Sequence, residues 1–286
     1  MRKTLLPTFA RACRASLLLF AVSTLAHAQD AGKQPATPAP ASSSAPKSSA
    51  QKIDEKAVAV VERAVESLGG RAYLDVKTIV SRGYFTPFHD GVQALPISFT
   101  DYTVFPDHER TEFKGAGQKG IETHAGDNGW VFDGQAKALL DLTPVQVGDF
   151  RTSVRTSLDN ILRGWWRAAG ASLTYAGRRE AGLARRNETV RLTYPDGFEV
   201  EFEFDAKEGT PSKVKYKKQN AEGDTVEEED RYAQFISVGA VRIPFIIDHY
   251  RAGVQSSRVN YNEVEFNRPV SDALFTKPAD AKKVKF

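Results

Sequence analysis

The residues best suited to chemistry in this chain are its histidines. Residues 29–286 hold four of them, His89, His108, His124 and His249. None stands three or four positions from another on a helical pattern, and the one cysteine, Cys13, lies near the N-terminus. A zinc site would have to be gathered from distant strands. His124 beside Asp127 has the spacing of a base with its orienter, yet no G-x-S-x-G elbow supplies a nucleophile for it to activate. Gly115-Ala116-Gly117-Gln118-Lys119-Gly120 matches the dinucleotide pattern G-x-G-x-x-G letter for letter. That fingerprint needs a helix after it to receive the phosphate, and the chain from Ile121 onward alternates like a strand, so the glycines are expected in a hairpin turn. No metal, cofactor or catalytic residue is expected. The chain reads as a binding protein, not an enzyme.

Other residues have binding chemistry. Trp165 and Trp166 are adjacent, so on a helix they point about 100° apart. One is free to face a core while the other sits at a cavity rim. Arg178, Arg179, Arg185 and Arg186 cluster around a loop, either as a solvated face or as a dock for an acidic partner. Lys213, Lys215 and Lys217 are followed by Glu227 and Glu229 across a turn at Asn220–Asp224, with its centre near Glu222. That centre sets Lys217 opposite Glu227 and Lys215 opposite Glu229, and such cross-strand pairs contribute about 0.2–1 kcal/mol each.

The elements that must carry these residues occupy only part of the chain. Residues 1–28 carry four of the 39 basic residues and none of the 36 acidic ones. A basic start, the largely apolar run Leu17–Ala26 and the small-x-small ending Ala26-His27-Ala28 read as a secretory signal peptide cleaved after Ala28. Without it the chain is one charge negative and free of cysteine, which removes the nucleic-acid reading that its pI of 8.8 invites. An exported, periplasmic protein is expected. Residues 29–51, rich in Ala, Pro and Ser, read as a disordered spacer, and 52–286 as the folded domain.

Ile53, Ala57, Val58, Val61, Val65 and Leu68 form one apolar stripe, predicting a helix over 53–68 ended by Gly69-Gly70, with a short helical turn over 71–76. From Thr78 the period is two. Strands are expected over 78–88 and 96–105, the latter with Tyr102 and Val104 competing with Ile97 and Phe99 for the inside. Thr143-Pro144 opens one long helix with Val154, Leu158, Ile161, Leu162 and Trp165 on its stripe, ending by Gly170. The clearest hairpin turns at Pro195-Asp196-Gly197. Val190, Leu192 and Tyr194 face the same way as Phe198, Val200, Phe202 and Phe204, and Glu199, Glu201 and Glu203 face water. Further strands follow at 232–238, 240–251 and 254–267, with Pro244 at an edge or bulge.

The fold class is therefore α+β: a large curved antiparallel sheet, a half-open barrel, covered by a few helices. A sheet of ten or more strands curls. Its apolar face then either encloses a cavity for a lipid-like ligand or is filled by side chains, and periodicity leaves both open.

Three stretches resemble the periplasmic lipoprotein-carrier superfamily, the outer-membrane lipoprotein-sorting proteins. They are Phe105-Pro106-Asp107-His108-Glu109-Arg110 with Phe113, Asp127-Asn128-Gly129-Trp130-Val131-Phe132-Asp133, and Asp272-Ala273-Leu274-Phe275-Thr276-Lys277-Pro278. The resemblance implies a half-barrel with a helical lid that shelters the acyl chains of a lipid or lipoprotein. It also implies handover between a membrane-bound donor and an acceptor. The chain is expected to act as a monomer and to bind no nucleic acid. The expected lining is Ile97, Phe99, Trp130, Phe132, Leu158, Leu162, Trp165, Phe198, Val200, Phe202 and Phe204. The alternative is an envelope sensor or protein-interaction module on the same scaffold with a filled core.

Overall fold

The computed structural model describes residues 51–115, 117–220 and 223–286. The expected leader and nearly all of the expected spacer lie outside these residues. Gln51, the last spacer residue, belongs to the fold: its Nε2 donates to the Ala171 carbonyl at 2.6 Å.

The first helix is α1, Glu55–Ser67, with Asp54 as its N-cap accepting from Lys56 N. Asp54 also accepts from Tyr175 N, and these backbone hydrogen bonds, Tyr175's first, hold its carboxyl below the usual range. Ala57, Val61, Ala64 and Val65 are buried along one face. Ile53 precedes the cap and is exposed, because its backbone bridges to Leu173 instead of continuing the helix. After Leu68 the chain turns at Gly69, where φ is +114° and a Cβ would stand 2.2 Å from the Ala240 carbonyl oxygen. Only glycine allows that approach. The short α2, Arg71–Leu74, follows.

Strands come in two runs. The first is β1 (Thr78–His89), β2 (Val92–Gln93), β3 (Ile97–Val104), β4 (His108–Gly115), β5 (Gln118–Ala125), β6 (Asn128–Asp133) and β7 (Ala138–Asp141). The second is β8 (Ser172–Glu180), β9 (Arg186–Thr193), β10 (Glu199–Asp205), β11 (Pro211–Gln219), β12 (Thr225–Val238), β13 (Val241–Arg251) and β14 (Val254–Phe266). All pair antiparallel in the order β7-β6-β5-β4-β3-β1-β14-β13-β12-β11-β10-β9-β8, with β2 beside β1. The sheet is curved and does not close, giving the expected α+β half-barrel. The glycine-rich run falls where one hairpin strand gives way to the next, with Gly115 ending β4 and Gln118, Lys119 and Gly120 opening β5, and no helix follows it.

The expected single helix after Thr143 is two. Helix α3, Pro144–Thr156, starts with a capping box between Thr143 and Gln146. It stops at Ser157, which is extended (ψ 151°) and caps α4, Leu158–Arg163, by accepting from Asn160 N. A 3₁₀ turn, Trp165–Arg167, completes the segment. The break rotates the stripe, so Trp166 is buried in the core and Trp165 is half-buried against Phe105, the reverse of the helical expectation.

Register follows the charges. Lys215 pairs with Glu229 and Lys217 with Glu227, as the turn at 220–224 predicts. Diagonal reach adds Lys215 to Glu227 at 2.9 Å. The β9–β10 hairpin pairs Val200 with Leu192 and Phe202 with Val190. One outward expectation fails: Glu203 is buried, because Asn187 Nδ2 donates to it at 2.9 Å and Arg179 lies 3.5 Å away.

Candidate cavity

Pairing between β13 and β14 runs only from Arg251–Val254 to Ile246–Asn260. Beyond it β13 stays with β12 and β14 stays with β1, and Arg242 N donates to the Leu68 carbonyl instead. Pro244, which has no N–H to give, lies in this one-sided stretch. A cavity of about 140 Å³ sits over the parting, roofed by Leu68, Tyr73 and the α3–α4 junction.

One wall is apolar, with Ile79, Phe105, Leu158, Ile243, Ile247 and Val264. The other is polar, with Ser81, Asp101, Thr103, Ser153, Thr156, Asp230 and His249. Asp101 accepts from Thr103 Oγ1 at 2.9 Å and from Thr111 Oγ1 at 2.8 Å. The His249 imidazole meets the Asp230 carboxylate at 2.6 Å, both nearly buried. Asp159, at the start of α4, is held by Tyr73 at 2.9 Å and Arg163 at 2.8 Å. Arg163 also donates to the carbonyls of Tyr73, Leu74 and Val76, and so ties α4 to the end of α2. Tyr232 closes the far side, and burial pushes its hydroxyl well above the usual tyrosine range.

Of the residues expected to line a cavity, Leu158 does so. Trp165 packs on Phe105, one residue behind the lining. Ile97 and Phe99 form the neighbouring cluster with Phe85, Phe113, Ile247 and Val259. The inside of β3 goes to Ile97, Phe99, Asp101 and Thr103, and Tyr102 and Val104 take the other face. Val200, Phe202 and Phe204 are enclosed in the core under α1, α4 and Trp166. Leu162 faces an open groove between α1 and α4, and Phe198 packs on Tyr194 and Tyr216 with the Arg155 guanidinium 4.6 Å from its ring.

Trp130 and Phe132 lie across the sheet from the cavity. Their strand neighbours Glu122 and His124 share the face of Asp101 and Thr111, and alternation sends the two aromatics the other way. There the C-terminal segment covers them. Trp130 Nε1 donates to the Phe275 carbonyl at 2.9 Å, Phe286 packs on Phe132, and Arg110 donates to the Leu274 and Lys285 carbonyls.

The remaining candidates are engaged elsewhere. His124 stacks on Phe150 of α3 with ring centroids 4.0 Å apart, and its Nε2 meets Glu122, while Asp127 pairs with Arg151. Each arginine of the loop cluster has a carboxylate: Arg178 with Glu188, Arg179 with Glu201, Arg185 with Asp205, Arg186 with Glu180. Among the described residues no group of three or more His, Asp or Glu could hold a metal ion, and no helix is long and apolar enough to cross a membrane.

Missed from the sequence were Asp101 and Asp230, and His249 was named only as one of four histidines, with no place in the cavity. A signal for the first existed, since the step of two from Ile97 and Phe99 reaches Asp101 and Thr103. A signal for the second lay in the Lys215–Glu229 register, which sends Asp230 to the face of Val214.

No protein-family model matches the sequence, and no curated protein matches it. Solved structures do. A LolA superfamily protein from Nitrosomonas europaea is 16% identical, with a TM-score of 0.52 over 77% of this chain and 97% of that one. A DUF1329 family protein from Desulfovibrio piger is 12% identical, with a TM-score of 0.53 over the same shares of the two chains.

Proposed function

From the LolA-like fold of this chain and its cavity, we infer a periplasmic, non-enzymatic binding protein that shelters the apolar part of a lipid or lipoprotein. The cavity between the sheet and the α3–α4 junction carries this reading, because it is a recess whose apolar wall joins residues from both halves of the sheet. Burial is the mechanism. Each methylene removed from water contributes about 0.8 kcal/mol, so about ten would supply about 8 kcal/mol. A cavity of about 150 Å³ accepts a molecule the size of benzene. The space here therefore takes a few methylenes, and a longer chain enters by lifting α3 and α4, which the break at Ser157 lets move separately. Handover then requires a membrane-bound donor and an acceptor. The test is native mass spectrometry with lipid extraction on the chain purified from a periplasm. Bound phospholipid or acylated peptide is the expected result. A clean apo mass that also fails to displace a fluorescent fatty acid would sink the reading.

One observation favours a second reading, an envelope sensor or protein-interaction module. The part of the sheet formed by β8 to β11 is filled, with Phe202, Phe204 and Trp166 fully enclosed. A lipid-free chain that captures a protein partner would support it.

A further inference from the structure

We propose that the corner of the outer sheet face around Lys114, Lys119 and Phe286 docks on an anionic lipid bilayer. This surface is separate from the cavity, and the assignment does not depend on what the cavity holds.

Strand register reveals an anomaly there. On β11 and β12 lysine faces glutamate, Lys215 with Glu229 and Lys217 with Glu227. On β4 and β5 lysine faces lysine, with Lys114 directly opposite Lys119. Like charges in that relation destabilise a sheet. Both side chains are exposed, and among the described residues neither ammonium has a carboxylate partner. Lys119 Nζ lies instead 3.5 Å from the centroid of the Phe286 ring. The acids of this corner are engaged. Glu112 pairs with Arg110, Asp133 Oδ1 accepts from Gln135 N and Ala136 N, and Asp280 Oδ1 accepts from Lys282 N.

More lysines share the face. Alternation along β5 puts Lys119 on the side of Ile121, where Ala281 and Val284 pack. That packing leaves Lys282, Lys283 and Lys285 exposed. Lys137 is exposed in the β6–β7 turn, which Gln135 Nε2 ties to the β4–β5 tip by donating to the Gly117 carbonyl at 2.9 Å.

Apolar side chains stand among these charges. Phe286 is 45% exposed, and Leu95 is 73% exposed in the turn that leads into β3. That turn adjoins the β4 tip, since a Cβ on Gly115 would lie 3.7 Å from the Pro96 carbonyl oxygen. A soluble polyanion needs only the lysines. Apolar tips set among lysines fit a surface that is charged outside and hydrocarbon within. The ammonium groups meet headgroup phosphates, and Leu95 and the Phe286 ring pass below them.

The test is co-sedimentation of the purified chain with vesicles of phosphatidylcholine alone, and of phosphatidylcholine and phosphatidylglycerol in equal parts. The expected result is binding about tenfold tighter to the anionic vesicles. It should be lost when salt rises from about 0.1 M to about 1 M and the screening length falls from about 10 Å to about 3 Å. Lys114→Glu and Lys119→Glu together should weaken it by about tenfold or more. Lys119→Glu alone, which sets opposite charges across the strands, should weaken it and leave the thermal melt at or above that of wild type. Phe286→Ala should weaken it about threefold with its salt dependence kept. Leu158→Glu, placed in the cavity, should leave vesicle binding unchanged, so failure of the docking surface and failure of the cavity are read separately. Equal binding to both vesicles, binding to neither, or full affinity in the folded double variant overturns the assignment. Polyglutamate bound more tightly than the anionic vesicles, with Phe286→Ala without effect, overturns it in favour of an acidic protein partner.

Discussion

Phe99 and Tyr261 meet edge to face across Gly83, their ring centroids 5.9 Å apart and their planes at 80°. Gly83 stands between them in the sheet, paired with Phe99 on one side and Tyr261 on the other. The missing side chain is what lets a tyrosine bordering the cavity rest on the aromatic cluster behind it. Edge-to-face pairs of this kind contribute about 0.5–1.5 kcal/mol beyond their buried area.

A Cβ at position 83 would stand 2.0 Å from the Asn260 carbonyl oxygen. Backbone cannot yield as a flexible side chain would. Gly83→Ala should cost about 3 kcal/mol. For a domain of this size that lowers Tm by about 6–12 °C. A thermal melt within about 2 °C of wild type, equivalent to about 1 kcal/mol or less, would show that β1 and β14 can part here at little cost.

Trp130 tests the two faces of the sheet. Trp130→Phe loses the hydrogen bond to the Phe275 carbonyl, about 1 kcal/mol. Trp130→Ala should cost about 3–5 kcal/mol and should expose the C-terminal segment to limited proteolysis. Binding of an apolar probe should stay unchanged in both. A loss of probe binding in a folded Trp130→Phe chain would place this tryptophan back in the ligand's path.

Charge placed inside the sheet should separate core from cavity. Phe202 is fully enclosed, so Phe202→Glu should yield no folded protein by circular dichroism. Leu158 is half-buried, lines the cavity and opens α4, where a negative charge suits the helix dipole. Leu158→Glu should therefore fold and bind an apolar probe at least tenfold more weakly. Full affinity in that variant would remove the cavity from the binding path.

Acid should weaken the outer face of the sheet. Burial raises the carboxyls of Glu201 and Glu229, but hydrogen bonds from Arg179 and Arg191, and from Arg231 and Lys215, outweigh it and hold both below the ordinary range. A carboxyl lowered by folding stabilises the fold above its unfolded pKa, and that contribution is lost as pH falls through its folded value. Stability should be level near neutrality and fall below about pH 4. Replacing Arg179 and Arg191 together by alanine should cost most at neutral pH, with the gap to wild type narrowing on acidification. Denaturant titrations across pH that show a constant gap would contradict this.

What was legible depended on how local the determinant was. The Lys215–Glu229 pair could be read because a short turn and alternating charges leave one register. Alternation says which residues share a face, but it does not say which face the helices cover. Phe202 and Trp130 look alike in sequence, yet α1 covers one and the segment after Asn267 covers the other. Asp101 and Asp230 were hidden for a different reason. A carboxylate in an inward position is expected to be an error until its partners are known, and Thr111 and His249 come from neighbouring strands. The break at Ser157 turns on one side chain capping the next helix, which a stripe of apolar residues spanning it conceals.

The first and last strands of the sheet, β1 and β14, lie side by side at its centre. Each run of strands zips through nearest-neighbour hairpins, which close quickly because their loops are short. The seam between the runs is different, since it joins the parts of the sheet most distant along the chain and must wait for the largest loop to close. The cavity borders that seam, with Ile79 and Ser81 on one side and Tyr261 and Val264 on the other. A chain halted before residue 254 would thus possess two half-sheets and no vessel. The cavity itself should therefore take shape only once β14 has joined β1.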